Sequence, residues 1–503
     1  MQKDHHGGGF GPGPAVSPTK DHSRRVWLLV PALAVGLCAC ATVGPNFQTP
    51  EAPAAGRYTA TGESIDALAR LTPDVRTAGP WWTALGSTDL DRVMTDALAG
   101  NQTVAAADAV LEKARAQAQS SHGEQLPRLD AAANAERERI NFQAFGFPNV
   151  PNPTLDLYSI GGMVSYDLDL FGGARRRAEA AEAVMQATGW RADAAYLTLT
   201  GNVALQAVRI AGLRAEQAGI REILADDQRD IDLIKAAEAV GGEARTATTS
   251  GKALLADDQA LLPPIDRQLS AARHALALLV GKSPAEWSAP DFDVAGFSPP
   301  ADIPVSLPSD LVRVRPDIRA AEAELHADTA RIGVAEANLY PDVRLTGSLT
   351  QGAVTPGALF GYNSTGWMIG PSVTAPLLNG GQLRADRRAA EAQARASLAQ
   401  YRQTVLSAFV QIADVLTALA HDNEQLAAEA QAEATAQSAL SDARDAYRLG
   451  GGPFLAIVVA QRRVDQARLK LVEARSQRLA DIVTLFAATA RDWRVAPAAK
   501  PGS

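Results

Sequence analysis

Residues that commonly do chemistry are sparse in this chain and form no catalytic pattern. Its seven histidines show no close cluster beyond the N-terminal pair, and its two cysteines, Cys38 and Cys40, lie near the start. A zinc site needs ligands at short, regular spacings, which are missing here. Gly281-Lys282-Ser283 resembles the end of a phosphate-binding loop, but Leu276 stands where the first glycine is required. With neither a nucleophile elbow nor a His-Glu-x-x-His motif, the sequence predicts no enzyme, no cofactor and no metal.

One covalent modification is indicated, the lipidation of Cys40. Positively charged residues precede a run of about a dozen mainly apolar residues, Val26–Leu37, which is too short to span a bilayer and is typical of a secretory signal. Leu37-Cys38-Ala39-Cys40 resembles the bacterial lipobox, and Cys40 fits it better because a small residue precedes it. Two incidental cysteines in an apolar helix are the alternative. We expect a signal peptide over residues 1–39 and a lipidated Cys40. The resemblance to bacterial lipoproteins implies the outer membrane, because Ala41 rather than Asp follows the cysteine.

The amino-acid composition argues against two other classes of protein, nucleic-acid-binding proteins and disulfide-rich scaffolds. Only 5% of the 503 residues are aromatic, 47% are hydrophobic and the formal net charge is −8. An acidic chain is a poor partner for nucleic acid, whose phosphates attract basic surfaces. Two cysteines cannot support a disulfide scaffold. The abundance of Ala, Gln, Arg and Glu indicates long helices, and no segment after the signal has eighteen consecutive apolar residues, so no transmembrane helix is expected.

Alternating polar and apolar residues predict β-strands in four segments. These are residues 128–137, 158–170, 342–350 and 366–378. Alternation over about ten residues is typical of transmembrane β-barrel strands, with an amphipathic sheet on a soluble core as the alternative. Long hairpin loops over residues 138–157 and 351–365 favour the barrel, and only helices remain to cover the other face of a soluble sheet. Because the smallest barrels need about eight strands, the barrel must be shared between two, three or four chains.

The chain also repeats itself. Asn101–Pro127 and Arg315–Pro341 align without a gap, and each is followed by two alternating runs, a Gly-Gly pair and a long proline-free helical segment. Helices are expected over residues 89–124, 174–240, 243–281, 316–339, 382–449 and 454–491. The two longest would each measure ~100 Å, and each short pair would lie end to end beside one of them. A bare helical rod is the alternative that the strands disfavour.

We therefore predict an α+β membrane protein built from two tandem structural repeats. The repeats cover residues 81–283 and 309–494. The remaining segments are a lipidated N-terminal segment over residues 40–80, a Pro-rich linker over residues 284–308 and a tail over residues 495–503.

Several motifs resemble those of the TolC-like outer-membrane efflux proteins, in particular the NodT/OprM branch of lipoproteins. The most specific is Leu307–Ile318, which is similar to the branch signature P-S-D-L-L-x-R-R-P-D-I, and Cys40–Phe47, Trp81-Trp82, Ala277–Pro284 and Tyr447–Gly450 also match. The resemblance implies a homotrimer with a shared twelve-stranded barrel and a long periplasmic α-helical barrel. An equatorial belt would be formed by the N-terminal segment, the Pro-rich linker and the tail.

The same resemblance implies a function. The protein would be a passive exit duct in the outer membrane of a Gram-negative bacterium, engaged by a periplasmic adaptor and an inner-membrane proton-driven RND pump. It would pass drugs or other small toxic compounds outward. A type I secretion factor that exports protein and a lipid-anchored envelope tether without a pore are the alternatives.

Each repeat turns over at a Gly-rich tip. Glycine supplies the positive φ angles that a tight reversal needs. By resemblance, the tips that contact the adaptor carry Gly241, Gly242, Gly450, Gly451 and Gly452. The motif transfers a constriction leucine to Leu455 and a basic gate residue to Arg462, but Val459 stands where an acidic residue is usual. This departure argues against an acidic ring and a salt-bridge latch, so we expect Leu455, Val458 and Val459 to close the pore by dewetting.

Overall fold

The chain divides into two compact units in the computed structural model. The described residues are 42–51, 57–60, 62–63, 69–71, 80–300, 303–305 and 308–489. The sheet unit comprises residues 1–44, 127–175 and 336–378, and the helical unit comprises residues 45–126, 176–335 and 379–503. The expected signal peptide over residues 1–39, the lipidated Cys40 and the tail over residues 495–503 lie outside the described part of the chain.

Long helices and a few strands make up the described residues. The helices are Thr88–Gly100 (α1), Gln102–Gly123 (α2), Gly173–Ala239 (α3), Arg245–Gln259 (α4), Leu262–Val280 (α5), Pro308–Val314 (α6), Pro316–Ala337 (α7), Gln382–Arg448 (α8) and Phe454–Thr489 (α9). The strands are Ala69–Leu71 (β1), Arg128–Arg139 (β2), Thr154–Asp167 (β3), Ile303–Val305 (β4), Asp342–Ala353 (β5) and Thr365–Thr374 (β6).

The sheet unit contains one four-stranded sheet, in the order β2-β3-β5-β6. Every neighbouring pair is antiparallel, and the central pair joins β3 to β5, which come from opposite halves of the chain. The four segments predicted as strands are thus the four strands of this sheet. A short parallel pair, β1 with β4, belongs to the helical unit.

The strand register places the apolar side chains on one face of the sheet. Residues directly opposite each other on neighbouring strands point to the same side. One row across the sheet is Leu129, Val164, Gly347 and Ile369, and the next is Ala131, Gly162, Leu349 and Trp367. The other face carries an ion pair in which the Arg344 Nε donates to the Asp167 Oδ1 at 2.5 Å. The apolar face is therefore continuous across all four strands, and within the chain it stays exposed, since Ile369 keeps 70% of its surface.

Three pairs of corresponding elements in the two halves of the chain have equal lengths. Helices α3 and α8 each contain 67 residues, which gives a length of ~100 Å. Helices α2 and α7 each contain 22 residues, and strands β2 and β5 each contain 12. This agreement is what a duplicated unit would produce.

The prediction of one helix over residues 89–124 is wrong, because the helix is interrupted at Asn101. Asn101 has an extended ψ of 123°, and its side chain accepts hydrogen bonds from the backbone N–H groups of Thr103 and Val104 at the start of α2. The backbones of Gly100 and Gly281 also approach so closely that a Cβ on Gly281 would lie 2.0 Å from the Gly100 carbonyl oxygen. The interruption is thus imposed by tertiary packing together with an N-cap.

The expected helix over residues 243–281 is also divided, into α4 and α5, at Ala260 and Leu261. Two prolines, Pro263 and Pro264, follow the division. Proline has no backbone N–H to donate to the preceding helical turn, but it is tolerated in the first turn of a new helix. The prolines therefore explain why α5 begins at this point.

The strands also differ from the prediction at both ends. Those expected to reach residues 170 and 378 end earlier, at Asp167 and Thr374. After β3, Asp169 accepts a hydrogen bond from the Ala174 N–H at 2.8 Å and thereby starts α3. After β6, Pro376 cannot donate to a neighbouring strand. At the hairpin ends the strands extend into the predicted loops, since β2 continues to Arg139 and β5 to Ala353, so both loops are shorter than expected.

A large hydrophobic core holds the helical unit together. The fully buried side chains of Trp81, Leu90 and Leu276 pack there with residues of α3, α8 and α9. The segment predicted as a Pro-rich linker contributes Phe292 and Phe297 to the same core. That segment is therefore an integral part of the helical unit.

One described helix, α8, is long and apolar enough by length and composition to cross a membrane, and 33% of its most apolar window is buried inside the chain. No such helix was expected from the sequence, because no run of eighteen consecutive apolar residues follows the signal. The ~100 Å length of α8 is about three times the ~30 Å thickness of a bilayer's hydrocarbon core. Its apolar residues Ile412, Leu416 and Leu419 belong to the main core.

Candidate functional site at the helical tips

Each long helix of the helical unit ends in the same glycine-based cap. At the first tip the Gly242 N–H donates to the Ala237 carbonyl, and the Gly241 N–H donates to the Glu238 carbonyl. At the second tip the Gly451 and Gly450 N–H groups make the matching bonds. Gly241 has a φ of 81° and Gly450 a φ of 79°, in the left-handed region that this cap requires. The Gly-rich tips predicted from the sequence therefore act as helix terminators.

The two tips lie against each other in the helical unit. The Tyr447 hydroxyl donates to the Glu243 Oε1 at 3.0 Å, which joins the end of α8 to the loop that follows α3. A second hydrophobic core lies next to this bond. Its buried members are Ile234, Leu440, Phe454, Ile457, Ala460 and Val464. The two reversals are therefore packed as one structure, which we call the tip site.

The predicted gate residues occupy the first turns of α9, directly after the second tip. Leu455 is 67% exposed and Val459 is 48% exposed, whereas Val458 is half-buried against the second core. Leu455, Val459 and Arg462 follow one another at helical spacings of four and three residues, so they share one face of α9. This arrangement presents two apolar side chains next to each other at the tip, with a guanidinium group further along the same face.

Arg462 has carboxylate partners that the sequence analysis did not consider. Its Nη1 donates to the Asp258 Oδ1 at 3.2 Å, and its Nη2 lies 3.9 Å from the Asp257 Oδ2. Both carboxylates belong to α4, in the other half of the chain. Arg462 therefore has an ion pair within the chain although Val459 stands at the usual acidic position, because its acidic partners come from another helix.

Three carboxyl groups are buried beside this ion pair. Asp227, Asp258 and Asp465 are 3%, 4% and 5% exposed, and they come from α3, α4 and α9. Burial, a hydrogen bond with Asp258 and the charges of Asp258 and Asp465 raise the pKa of Asp227 from 3.8 to about 7. Burial also raises the pKa of Asp465, to about 6. In the described part of the chain no three His, Cys, Asp or Glu side chains are grouped so that they could hold a metal ion.

Sequence reasoning missed these carboxyl groups because a charged residue in a helix is usually on its solvated face. A weak signal existed in the pairs Asp226-Asp227 and Asp257-Asp258, which place an acidic residue at two neighbouring positions of one helix. Adjacent helical residues point about 100° apart, so one member of each pair can face a neighbouring helix while the other faces solvent. One member of each pair, Asp227 and Asp258, is accordingly buried.

Comparison with known proteins adds independent information. The sequence profile of the family described as outer membrane efflux protein matches residues 93–282 and 307–491. The chain is 30% identical over 477 residues to the pyoverdine export outer membrane protein OpmQ of Pseudomonas aeruginosa, which covers 94% of this chain and 97% of OpmQ. It is 28% identical over 415 residues to the solvent efflux pump outer membrane protein SrpC of Pseudomonas putida, which covers 81% of this chain and 86% of SrpC.

The fold is also found among solved structures. The structure of the outer-membrane channel OprN superposes with a TM-score of 0.81 at 27% sequence identity. The superposition covers 90% of this chain and 100% of the OprN chain. The similarity therefore includes both the sheet unit and the helical unit.

Proposed function

The chain belongs to the outer membrane efflux protein family, and from this premise we propose that it is the outer-membrane exit channel of a tripartite efflux pump. It passes compounds delivered by an adaptor and an inner-membrane pump to the exterior, without chemical change. The observation that carries the proposal is the combination of a strand sheet whose apolar face is uncovered within the chain and paired helices of ~100 Å that end in capped tips. The first suits lipid and the second suits a conduit across the periplasm.

We propose that three copies assemble into one barrel. Strands β2 and β6 form the edges of the sheet, and among the described residues each has one side without a paired strand. Such edges are not tolerated in lipid, and three copies would close twelve strands by pairing β6 of one copy with β2 of the next. The equal lengths of α3 and α8 support the tandem repeat, because a trimer would then present six nearly equivalent helical hairpins.

In the assembled barrel the apolar face of the sheet contacts lipid and the face with Asp167 and Arg344 lines the lumen. The expected lipid-facing residues are Val343, Leu345, Ile369 and Val373, which the register places together. We retain the proposal that Cys40 carries lipid, so that the acyl chains and the barrel hold the protein in the same membrane.

The transported class is small organic compounds. SrpC, similar over most of its length, is named for solvent efflux, and OpmQ is named for pyoverdine export. Neither name mentions a protein substrate, which disfavours the type I secretion alternative. Selection among compounds is left to the pump, since the channel offers a passive route.

The tip site is the proposed position of both the adaptor contact and the gate. Val240 and Leu449 occupy equivalent positions, each directly before the first cap glycine, and they are 84% and 87% exposed. Exposed apolar side chains at both tips suit a partner surface rather than water. Leu455, Val458 and Val459 follow the second tip and, repeated by threefold symmetry, would form an apolar constriction.

Reconstitution in lipid bilayers tests the channel and its gate together. Wild-type protein should conduct weakly, and Leu455→Ser combined with Val459→Ser should raise single-channel conductance because hydroxyl groups keep the constriction wet. Val459→Asp should make the pore more selective for cations. Unchanged conductance and selectivity in all variants would show that the gate is not at this tip. A complete lack of conductance would favour the envelope tether.

The same variants can be tested in cells. Deletion of the gene should lower tolerance to small toxic compounds, and the wild-type chain should restore it. Restoration by the Leu455→Ser, Val459→Ser variant should leave cells sensitive to large antibiotics that a closed tip excludes. Full tolerance after deletion would contradict a role in efflux.

A further inference from the structure

The buried carboxyl groups of the tip site have too few cationic partners. Asp227, Asp258 and Asp465 each leave one oxygen, Oδ2, buried without a hydrogen-bond partner among the described residues. Each comes from a different helix, and each is more than nine-tenths buried. An ionised carboxylate that is buried and incompletely hydrogen-bonded is strongly disfavoured, so Asp227 and Asp465 tend to hold a proton.

The charged groups around them do not neutralise the cluster. Those facing it are Asp226 and Asp230 on α3, Asp257 on α4, Arg444 on α8, and Arg462 and Arg468 on α9. Arg444 lies 3.9 Å from Asp230 and also donates to the Gln461 Oε1, and Arg468 lies 3.1 Å from Glu222. Arg462 is thus the cation that contacts the buried carboxyl groups directly in the described part of the chain, through Asp258.

Hydrogen bonding at the cluster joins α3 to α4 and also runs within α9. The Gln461 Nε2 donates to the Asp465 Oδ1 at 2.8 Å within α9, and the Asp227 and Asp258 carboxyl groups lie within hydrogen-bonding reach across α3 and α4. Two carboxyl groups can bond to each other only when one of them carries a proton. If both are ionised, repulsion replaces attraction at the contact between α3 and α4.

The cluster is next to the proposed gate. A narrow cavity is lined by Asp227 and Asp230 of α3 and by Phe454, Val458 and Gln461 of α9. Gly251 of α4 also borders it, where a Cβ would lie 3.1 Å from the Ile231 side chain, so α4 packs closely on α3. A change in how α4 is held will therefore reach the first turns of α9, which carry Leu455 and Val459.

We propose that Asp227, Asp258 and Asp465 form a proton-dependent clamp that holds α4 against α3 and α9 when the cluster is protonated and releases it when the proton is lost. The clamp itself is a property of the helical packing. Its effect on conduction rests on the proposed function, because that places the gate at the start of α9.

The direction of the pH effect follows from the raised pKa values of Asp227 and Asp465. A carboxyl group with a folded-state pKa above its unfolded value stabilises the folded state fully below the unfolded value, and the stabilisation is lost as pH rises through the folded pKa. For Asp227 this window runs from 3.8 to about 7. The clamp is therefore tight in mild acid and loose above neutral pH.

Hydrogen exchange on the full chain in lipid nanodiscs measures the clamp directly. After correction for intrinsic exchange, protection of residues 245–259 should fall as pH rises from 5 to 7, by roughly tenfold per pH unit for each proton released on opening. Asp227→Asn, which cannot ionise, should keep the segment protected at pH 8 and flatten this dependence. The matched control is Asp232→Asn, which removes an exposed carboxylate from the same helix and should behave as wild type.

Two further results would overturn the clamp. One is a pH-independent exchange rate in the wild-type chain, and the other is the same pH dependence in Asp227→Asn as in wild type. If Asp227→Asn does not fold, Asp465→Asn serves as the second variant and should reduce the slope. In bilayers the open fraction should rise with pH in wild type and not in Asp227→Asn, while an exchange response without a conductance response supports the clamp and contradicts the gate position.

Discussion

The sheet unit and the helical unit differ in how their apolar surface is covered. The helical unit buries a large apolar core, in which Leu90, Leu276 and Ile412 are completely inaccessible, and exposes apolar side chains mainly outside it. The sheet unit leaves its apolar face open, so Trp367 and Val373 remain mostly exposed in the chain. A core that is complete within one chain supplies its own stability, whereas an open apolar face needs lipid and neighbouring copies to be covered. The difference predicts that damage to the two units will depend differently on the membrane.

The largest effect is expected in the helical core. Leu276→Ala should lower the free energy of unfolding by about 2–5 kcal/mol because it leaves a cavity among fully buried side chains. The loss should be the same in detergent and in bilayers, since this core needs no lipid. Thermal unfolding followed by circular dichroism gives the measurement. Leu278→Ala, at an exposed position of the same helix, is the control and should change little. If the destabilisation by Leu276→Ala depended strongly on lipid, the two units would not differ as described.

A slightly smaller effect is expected on the open face of the sheet. Leu345→Arg places a charge on the proposed lipid-facing side and should cost about 2–4 kcal/mol near the middle of the bilayer. Thr346→Arg, on the neighbouring residue and the opposite face, should be tolerated because it faces the lumen. Native gel electrophoresis of membrane extracts reports the amount of assembled oligomer. Equal losses from both variants would show that the faces, or the barrel, are assigned wrongly.

The smallest effect is expected at the tips. Gly450→Ala forces a side chain into a left-handed backbone with a φ of 79° and should cost about 1 kcal/mol. Gly451→Ala should be nearly neutral, because a Cβ there would meet its nearest neighbour, the Ala446 carbonyl oxygen, at an ordinary 3.7 Å. The two melting temperatures, measured side by side, give the comparison. Similar shifts in both would mean that the cap conformation is not what limits this position.

The comparison also explains what could be predicted from sequence. The alternation in β3, β5 and β6 is visible because both faces of the sheet have a uniform environment, so side-chain polarity follows position with a period of two. The tips were found because a left-handed cap restricts the residue type to glycine. Both are local rules, and they identified every strand of the sheet and both reversals.

In the helical unit, local rules of this kind could not predict features that depend on contacts between residues far apart in the chain. The interruption at Asn101 depends on the close approach of Gly281, and the partners of Arg462 come from α4. The burial of Asp227 depends on how three helices pack, which the neighbouring Asp226 signals only weakly. The gate position at the start of α9 therefore stays a prediction, and the sequence could not supply the electrostatics around it.

The pairing of β3 with β5 determines when the sheet can be completed as the chain is delivered. Strand β3 finishes at Asp167, but its partner along residues Tyr158–Asp167 begins only at Asp342. A chain delivered from its N-terminus must therefore hold the first hairpin, with an unsatisfied edge, until the whole first helical repeat has followed it. Loop closure over such a distance is slow, and an exposed apolar hairpin is prone to misassociate while it waits. The first hairpin is consequently most exposed to misassociation before the second half of the chain arrives.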